Sequence, residues 1–217
     1  MPRLCWVMLS LLLYRGSAGA QGWEDGFEGK SLNARWNWRV PVTGPTFSLQ
    51  ERPGWLRVRL PMRAEGFNHW SEPKPVDEAP QLRTPAPEGD WELEARLHLQ
   101  QFDAEGQFLT GLVVGVSDQL LLTFGPVQAP SLPGGPKTPE AWLEPTGLSG
   151  FFRTPGEARD LRLRLTRTGN VCRARFCRED NQWVEAGSYL LPGTPRFVGL
   201  IRKTFSARSA LVFDVDY

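Results

Sequence analysis

The stretch Trp91-Glu92-Leu93-Glu94-Ala95-Arg96-Leu97-His98-Leu99 alternates apolar and polar side chains without a break. A period of two belongs to a strand that buries one face. Coiled into a helix, the same apolar residues would spread around every side instead of forming one stripe. The rhythm returns in Trp55-Leu56-Arg57-Val58-Arg59-Leu60 and in Leu161-Arg162-Leu163-Arg164-Leu165. Residues 111–116 and 120–124 are more continuously apolar, as strands covered on both sides are, and Ser117-Asp118-Gln119 between them suits a hairpin turn. Further strands are predicted over 171–177, 183–189, 197–202 and 210–217. They are separated by Thr168-Gly169-Asn170, Glu179-Asp180-Asn181 and Pro192-Gly193-Thr194-Pro195, all turn chemistries. About ten strands at this spacing predict an all-β chain folded as one two-sheet sandwich or barrel around one core.

Composition agrees. With 41% hydrophobic and 23% charged residues the chain is globular in type, and 19 Pro with 22 Gly favour short strands over long helices. Lys and Arg number 25 against 24 Asp and Glu, so no net field argues for nucleic acid or an anionic membrane as partner. The start of the chain reads as an address: Pro2-Arg3, the apolar run of residues 4–14, then Ala18-Gly19-Ala20 form a signal peptide over residues 1–20, cleaved after Ala20. That run is too short for a bilayer span, so a secreted or periplasmic protein without a membrane span is expected, its single domain covering residues 21–217. Cleavage leaves Cys172 and Cys177. Five apart in one strand, they point to opposite faces and cannot bridge, so a buried Cys172 and a partly covered Cys177 are expected. Two Pro-rich insertions, residues 62–88 and 125–139, are long enough to be functional loops.

Few residues offer catalysis. Glu92 and Glu94 share a strand face at roughly 7 Å, near the separation used in glycoside hydrolysis. Arg96 and His98 continue the same stripe, which equally describes an outer face whose charges pair with neighbouring Arg strands. Two histidines and no Gly-x-Ser-x-Gly elbow argue against a nucleophilic triad, and no Gly-rich loop opens a helix to hold phosphate. The nine Trp are more informative, because sugar rings stack on indole faces while polar side chains take the hydroxyls. Trp91 and Trp183 are expected in the core or at an edge, whereas Trp70, beside His69 in the first Pro-rich loop, and Trp142, after the second, are expected to face solvent. The candidate carbohydrate-binding set is Trp70, Trp142, His69, Arg83, Glu94 and Arg96.

The runs Trp36-Asn37-Trp38-Arg39 and Phe47-Ser48-Leu49-Gln50-Glu51-Arg52-Pro53-Gly54-Trp55-Leu56-Arg57-Val58 closely resemble the concanavalin A-like domain at the C-terminal end of family 43 glycoside hydrolases, the β-xylosidases. The likeness continues through Ala79-Pro80-Gln81-Leu82-Arg83, Gly111 to Gly115, Leu163-Arg164-Leu165, Gly169-Asn170, Trp183 and Phe213-Asp214. It implies a jelly-roll sandwich of two antiparallel sheets with a concave face, and it implies the accessory part of such an enzyme without the catalytic propeller. Lectin-like sandwiches often hold a structural calcium between first and last strands. Here Asp25, Glu28 and Asp214 would be its oxygen ligands.

Three functions are therefore carried forward. The first is an exported, non-catalytic module binding a polysaccharide or oligosaccharide on a concave sheet face. The second is a structural or protein-interaction sandwich of the cell envelope. The third is a glycoside hydrolase acting through Glu92 and Glu94.

Overall fold

Every period-two segment of the sequence becomes a strand, and each strand finds an antiparallel neighbour that buries the same face. The computed structural model describes residues 22–71, 74–146, 152–178, 181–205 and 210–216. The expected signal segment, residues 1–20, lies outside the described residues, as do Pro73 of the first Pro-rich insertion, Glu179 and Asp180 of an expected turn, and Tyr217.

Numbered in chain order, the first sheet runs β1 (Asn37–Arg39), β6 (Gln81–Pro85), β15 (Phe197–Thr204), β8 (Phe108–Gly115), β9 (Leu121–Gln128), β10 (Glu140–Pro145) and β11 (Phe152–Thr154). The second runs β14 (Trp183–Leu190), β13 (Val171–Cys177), β12 (Asp160–Thr168), β7 (Trp91–Phe102), β16 (Leu211–Asp216), β3 (Leu56–Leu60) and β2 (Thr46–Ser48). A small hairpin, β4 (His69–Trp70) with β5 (Val76–Asp77), stands apart from both. No described helix is long and apolar enough to cross a membrane. This is the expected all-β, two-sheet antiparallel sandwich.

The core fills the space between the sheets. From the second sheet come Leu56, Val58, Ala95, Leu97, Leu163, Leu165, Phe176 and Phe213; from the first come Leu82, Phe108, Leu112, Phe124, Leu143 and Leu200. Each fully buried Leu or Phe contributes about 1.5–3 kcal/mol relative to exposure. Trp91, 2% exposed, is a core residue as its place in the alternation predicted. Cys172 is buried and unpaired, and burial pushes its thiol up to about 12. Cys177 departs from expectation: at 1% exposure it is fully covered, because β13 is flanked on both sides by β12 and β14.

The Pro-rich insertions contain more regular structure than their composition suggests. Residues 62–88 supply β4, β5 and β6, and β9 runs through Pro126. Pro126 has no N–H to give, and the β8–β9 ladder reflects this: it pairs Leu109 with Val127 and resumes only at Leu112 with Phe124. In that gap Gly111 and Gly125 let the strands approach. A Cβ on Gly111, at φ +151°, would stand 2.1 Å from the Phe124 carbonyl oxygen.

Candidate functional site

The first sheet has a second apolar face, turned away from the core. Alternation along its strands sends Leu109, Val113, Leu121, Val127, Trp142, Phe197 and Ile201 outward, and these residues are buried in a cluster of their own. Gly111, Gly125 and Gly199 sit among them and lower the floor of this face. At Gly199 a Cβ would lie 1.9 Å from the Leu82 carbonyl oxygen.

Across this floor Lys203 of β15 forms an ion pair with Glu144 of β10, although β8 and β9 lie between them. On a flat sheet the two positions would stand roughly 14 Å apart across the strands and a further ~13 Å along them, beyond the reach of the side chains. The contact therefore requires an inward-curled, concave face. Lys203 is only 1% exposed, so its charge is neutralised within the fold rather than by water.

A polar network occupies one end of the concavity. The β4–β5 hairpin is tied down by Arg39, which donates to Asp77 at 2.8 Å, and places His69 over the turn between β8 and β9. His69 Nε2 lies 2.7 Å from the backbone carbonyl oxygen of Asp118. Arg83 Nη1 donates to the Asp118 carboxylate at 2.5 Å, while Arg83 Nε donates to Gln81 Oε1 at 2.9 Å. The Arg83 guanidinium also covers the Phe197 ring at 3.9 Å.

Protonation states follow from these contacts. A carbonyl only accepts, so Nε2 of His69 carries the hydrogen and Nδ1 of the neutral ring is a lone-pair acceptor. Burial pushes the imidazole below its usual value, against the Asp118 carbonyl and the Asp77 charge, which pull the other way. The Arg83 hydrogen bond holds the Asp118 carboxyl below the usual carboxylate range. Three atoms here are buried without a hydrogen-bond partner: His69 Nδ1, Gln81 Nε2 and Arg83 Nη2. Their residues are covered, His69 at 1% and Gln81 at 0% exposure.

The structure divides the candidates foreseen in the sequence. His69, Arg83 and Trp142 belong to the first sheet's outer face or the hairpin above it, and Trp70, 38% exposed, is on that hairpin. Trp142 does not face solvent as expected. It is 7% exposed, because residues 140–145 form a strand between β9 and β11 rather than a loop, and Arg153 approaches its ring.

Glu94 and Arg96 lie on the outer face of the second sheet, on the opposite side of the sandwich. There Arg164 donates to Glu94 at 2.5 Å and approaches Glu92 at 3.3 Å, while Arg96 and His98 meet Asp160. This is the charge-paired outer stripe that the Arg-rich neighbours foretold.

The oxygen set proposed for calcium is otherwise engaged. Asp25 accepts from the Trp36 indole at 2.9 Å and from the Phe27 amide at 3.0 Å, and Glu28 is exposed. Asp214 accepts from Arg52 and Arg57, both at 2.7 Å, and from Gln100 at 2.9 Å. A cation would have to displace two guanidiniums, so these residues do not fit one. Among the described residues no group of three or more His, Cys, Asp or Glu side chains is placed to hold a metal ion.

Lys203, Glu144, Gln81 and Asp118 were not foreseen as site residues. The available signal was charge at the end of an apolar run within one strand, as in Phe197-Val198-Gly199-Leu200-Ile201-Arg202-Lys203 and Ala141-Trp142-Leu143-Glu144. A charge that the sequence places inside a covered strand needs a partner or a purpose.

Comparison with known proteins places this architecture. The family model of the beta xylosidase C-terminal concanavalin A-like domain matches residues 24–116, so the later motifs around Leu163, Trp183 and Phe213 fall outside that match. No curated protein matches the chain. Among solved structures, a functionally unknown protein from Saccharomyces cerevisiae aligns at TM-score 0.64 and 16% identity, covering 84% of this chain and 94% of its own. The Bacteroides ovatus Xyloglucan PUL GH43B aligns at TM-score 0.63 and 15% identity over 91% of this chain and 39% of its own. Xylan beta-1,4-xylosidase from Bacillus halodurans aligns at TM-score 0.55 and 15% identity over 94% and 40%. The chain thus spans about two fifths of the length of these two proteins. It is a concanavalin A-like β-sandwich, similar to the C-terminal domain of the β-xylosidases and matching that family's model over residues 24–116.

Proposed function

We propose that this is an exported, non-catalytic carbohydrate-binding module whose ligand face is the concave outer face of the first sheet. The observation that carries the reading is the set of buried, unpartnered hydrogen-bonding atoms of His69, Gln81 and Arg83, on a face that also holds the largely covered Trp142 ring. Buried polar atoms without partners cost free energy, and concave sites that mix aromatic rings with a few convergent polar groups are where polyhydroxylated ligands bind. Likeness to proteins named for xyloglucan and for xylan supports a polysaccharide ligand. The signal-like residues 1–20 support export. Glu92 and Glu94, held by Arg164 on the other side of the sandwich, support a non-catalytic role over hydrolysis.

One observation favours the second reading, a protein-interaction or structural sandwich. The Lys203–Glu144 pair spans the middle of the concavity, and Trp142 is already covered. Depletion of the protein from solution by insoluble xylan, cellulose, chitin and β-glucan separates the two. Selective retention by one polymer supports the carbohydrate reading. Retention by none transfers the assignment to a protein partner.

A further inference from the structure

Independently of the carbohydrate reading, we infer that the free edge of β14 joins a second copy of this chain, making a two-fold dimer through an antiparallel β14–β14 contact. The four sheet edges are unequal. β1, β2 and β11 are three residues long, too short to template another chain, whereas β14 runs for eight and, among the described residues, pairs with β13 alone. It carries neither Pro nor Lys, two residues that commonly guard such an edge. Apolar surface gathers at the same place. Seven large hydrophobic side chains are exposed among the described residues, and four of them, Phe152, Val171, Val184 and Leu190, stand on β14 or on the strands beside it. Val171 is paired with Leu190, and Phe152 of β11 packs on Gly187.

The sequence of β14 says which partner fits. Trp183-Val184-Glu185-Ala186-Gly187-Ser188-Tyr189-Leu190 reads the same by residue class from either end: apolar, apolar, polar, small, small, polar, apolar, apolar. A regular strand could not use this symmetry, because residues 183 and 190 would point to opposite faces. A bulge can guard an edge by twisting it, but the bulge here restores the symmetry. Arg175 pairs with Glu185 and Ala174 with Gly187, so Ala186 is the extra residue. Trp183, Glu185, Ser188 and Leu190 then share the outer face, while Val184 and Tyr189 share the inner one. A two-fold axis normal to the sheet between Ala186 and Gly187 sets Trp183 against the partner's Leu190, Val184 against the partner's Tyr189 and Glu185 against the partner's Ser188. Charge agrees with this register. Ser188 is paired with Arg173 of β13, so each Glu185 approaches the partner's Arg173, while the two Glu185 side chains start roughly 10 Å apart along the strands. The same axis turns the first sheets of both copies to one side.

Sedimentation velocity of the full chain between about 1 and 100 µM tests the interface, and a monomer–dimer equilibrium is expected. Val184→Lys and Leu190→Lys should raise the dimer dissociation constant at least about tenfold, whereas Met62→Lys and Leu132→Lys, exposed elsewhere, should leave it at the parent value. Hydrogen exchange of the unmodified protein reads the same contact, so a variant that fails to fold leaves the test intact. Amides of β14 should be slower to exchange at the high concentration than at the low one, with β1 and β2 unchanged. A monomer at every concentration overturns the proposal and leaves the edge to a different chain. A dimer that survives Val184→Lys and Leu190→Lys, or that leaves β14 exchange independent of concentration, overturns it as well. Polysaccharide retention does not bear on any of these outcomes, so the carbohydrate reading and the dimer stand or fall separately.

Discussion

The two outer faces of this sandwich use charge in opposite ways. On the second sheet every buried acid is answered: Asp214, at 0% exposure, takes two guanidiniums and an amide, while Glu92 and Glu94 share Arg164. On the first sheet, Lys203 and Glu144 neutralise each other, and His69, Gln81 and Arg83, joined in one chain of contacts, keep buried atoms without partners; on the second such atoms belong to an indole and to bases, Trp91 Nε1, Arg162 Nε and Arg167 Nε, and not to an acid. Saturated polar groups fix a fold and ask nothing of the surroundings; unsaturated ones carry a standing cost that a ligand can offset. The difference separates a face whose acids are saturated from a face with a connected cluster of unsaturated groups, and the proposed function rests on that cluster.

The largest effect that would sharpen the contrast is expected at the floor of the first face. Gly111→Ala drives a Cβ into the Phe124 carbonyl at a positive φ, against the backbone of β9 and with no side chain to yield. A loss of about 4 kcal/mol or more is predicted, read as a lower urea midpoint or as failure to fold.

Next comes the saturated face. Asp214→Ala removes a carboxylate from between Arg52 and Arg57 and leaves their charges crowded together. It should cost about 3 kcal/mol in urea unfolding. A cost near zero would mean that the second face is not held by its charges.

The pH dependence follows in size. Burial alone raises the Asp214 pKa, but the hydrogen bonds from Arg57 and Arg52 outweigh it and hold the carboxyl below its usual range. Its contribution is therefore full above about pH 4, the ordinary carboxylate value, and is lost as the pH falls through the folded value. His69 has the same sign for another reason. Its folded value is lowered chiefly by burial, so its contribution is full above about pH 6.5 and declines as the pH drops below that toward the folded value. Unfolding midpoints between pH 7.5 and pH 5 should thus fall in the parent and fall less in His69→Gln. An unchanged slope would contradict a buried neutral imidazole.

The smallest effects are expected from Trp70→Ala and from thiol chemistry. Trp70 is exposed on the short hairpin, and its removal should leave stability within about 0.5 kcal/mol. Cys172 and Cys177 should resist alkylation in the native protein at pH 8, judged by peptide mapping, and react only on unfolding.

The strands that alternate were legible in the sequence, because one buried face leaves a period of two, and so β3, β7, β12 and β13 fall where the pattern puts them. The short strands β1, β2, β4, β5 and β11 were not, since two or three residues cannot display a period. Trp142 was misplaced for a related reason. Residues 140–145 are covered on both sides, so Ala141-Trp142-Leu143 shows no alternation and the Pro-rich run before it suggests a loop. The partition of the candidates was beyond the sequence altogether. Glu94 and Arg83 look alike as lone charges on strands, and only the pairing of β6 with β15 and of β7 with β12 sends them to opposite sides of the molecule.

The central claim is that recognition belongs to the first sheet's outer face, and the most direct measurement is polysaccharide retention compared across variants of the two faces. On whichever of xylan, cellulose, chitin and β-glucan retains the parent protein, Trp70→Ala and Gln81→Leu are predicted to lower retention at least about tenfold, while Glu94→Gln and Arg96→Ala leave it unchanged. Loss of retention in Glu94→Gln or Arg96→Ala, with Trp70→Ala and Gln81→Leu bound as the parent is, would contradict the account and move the ligand to the second sheet.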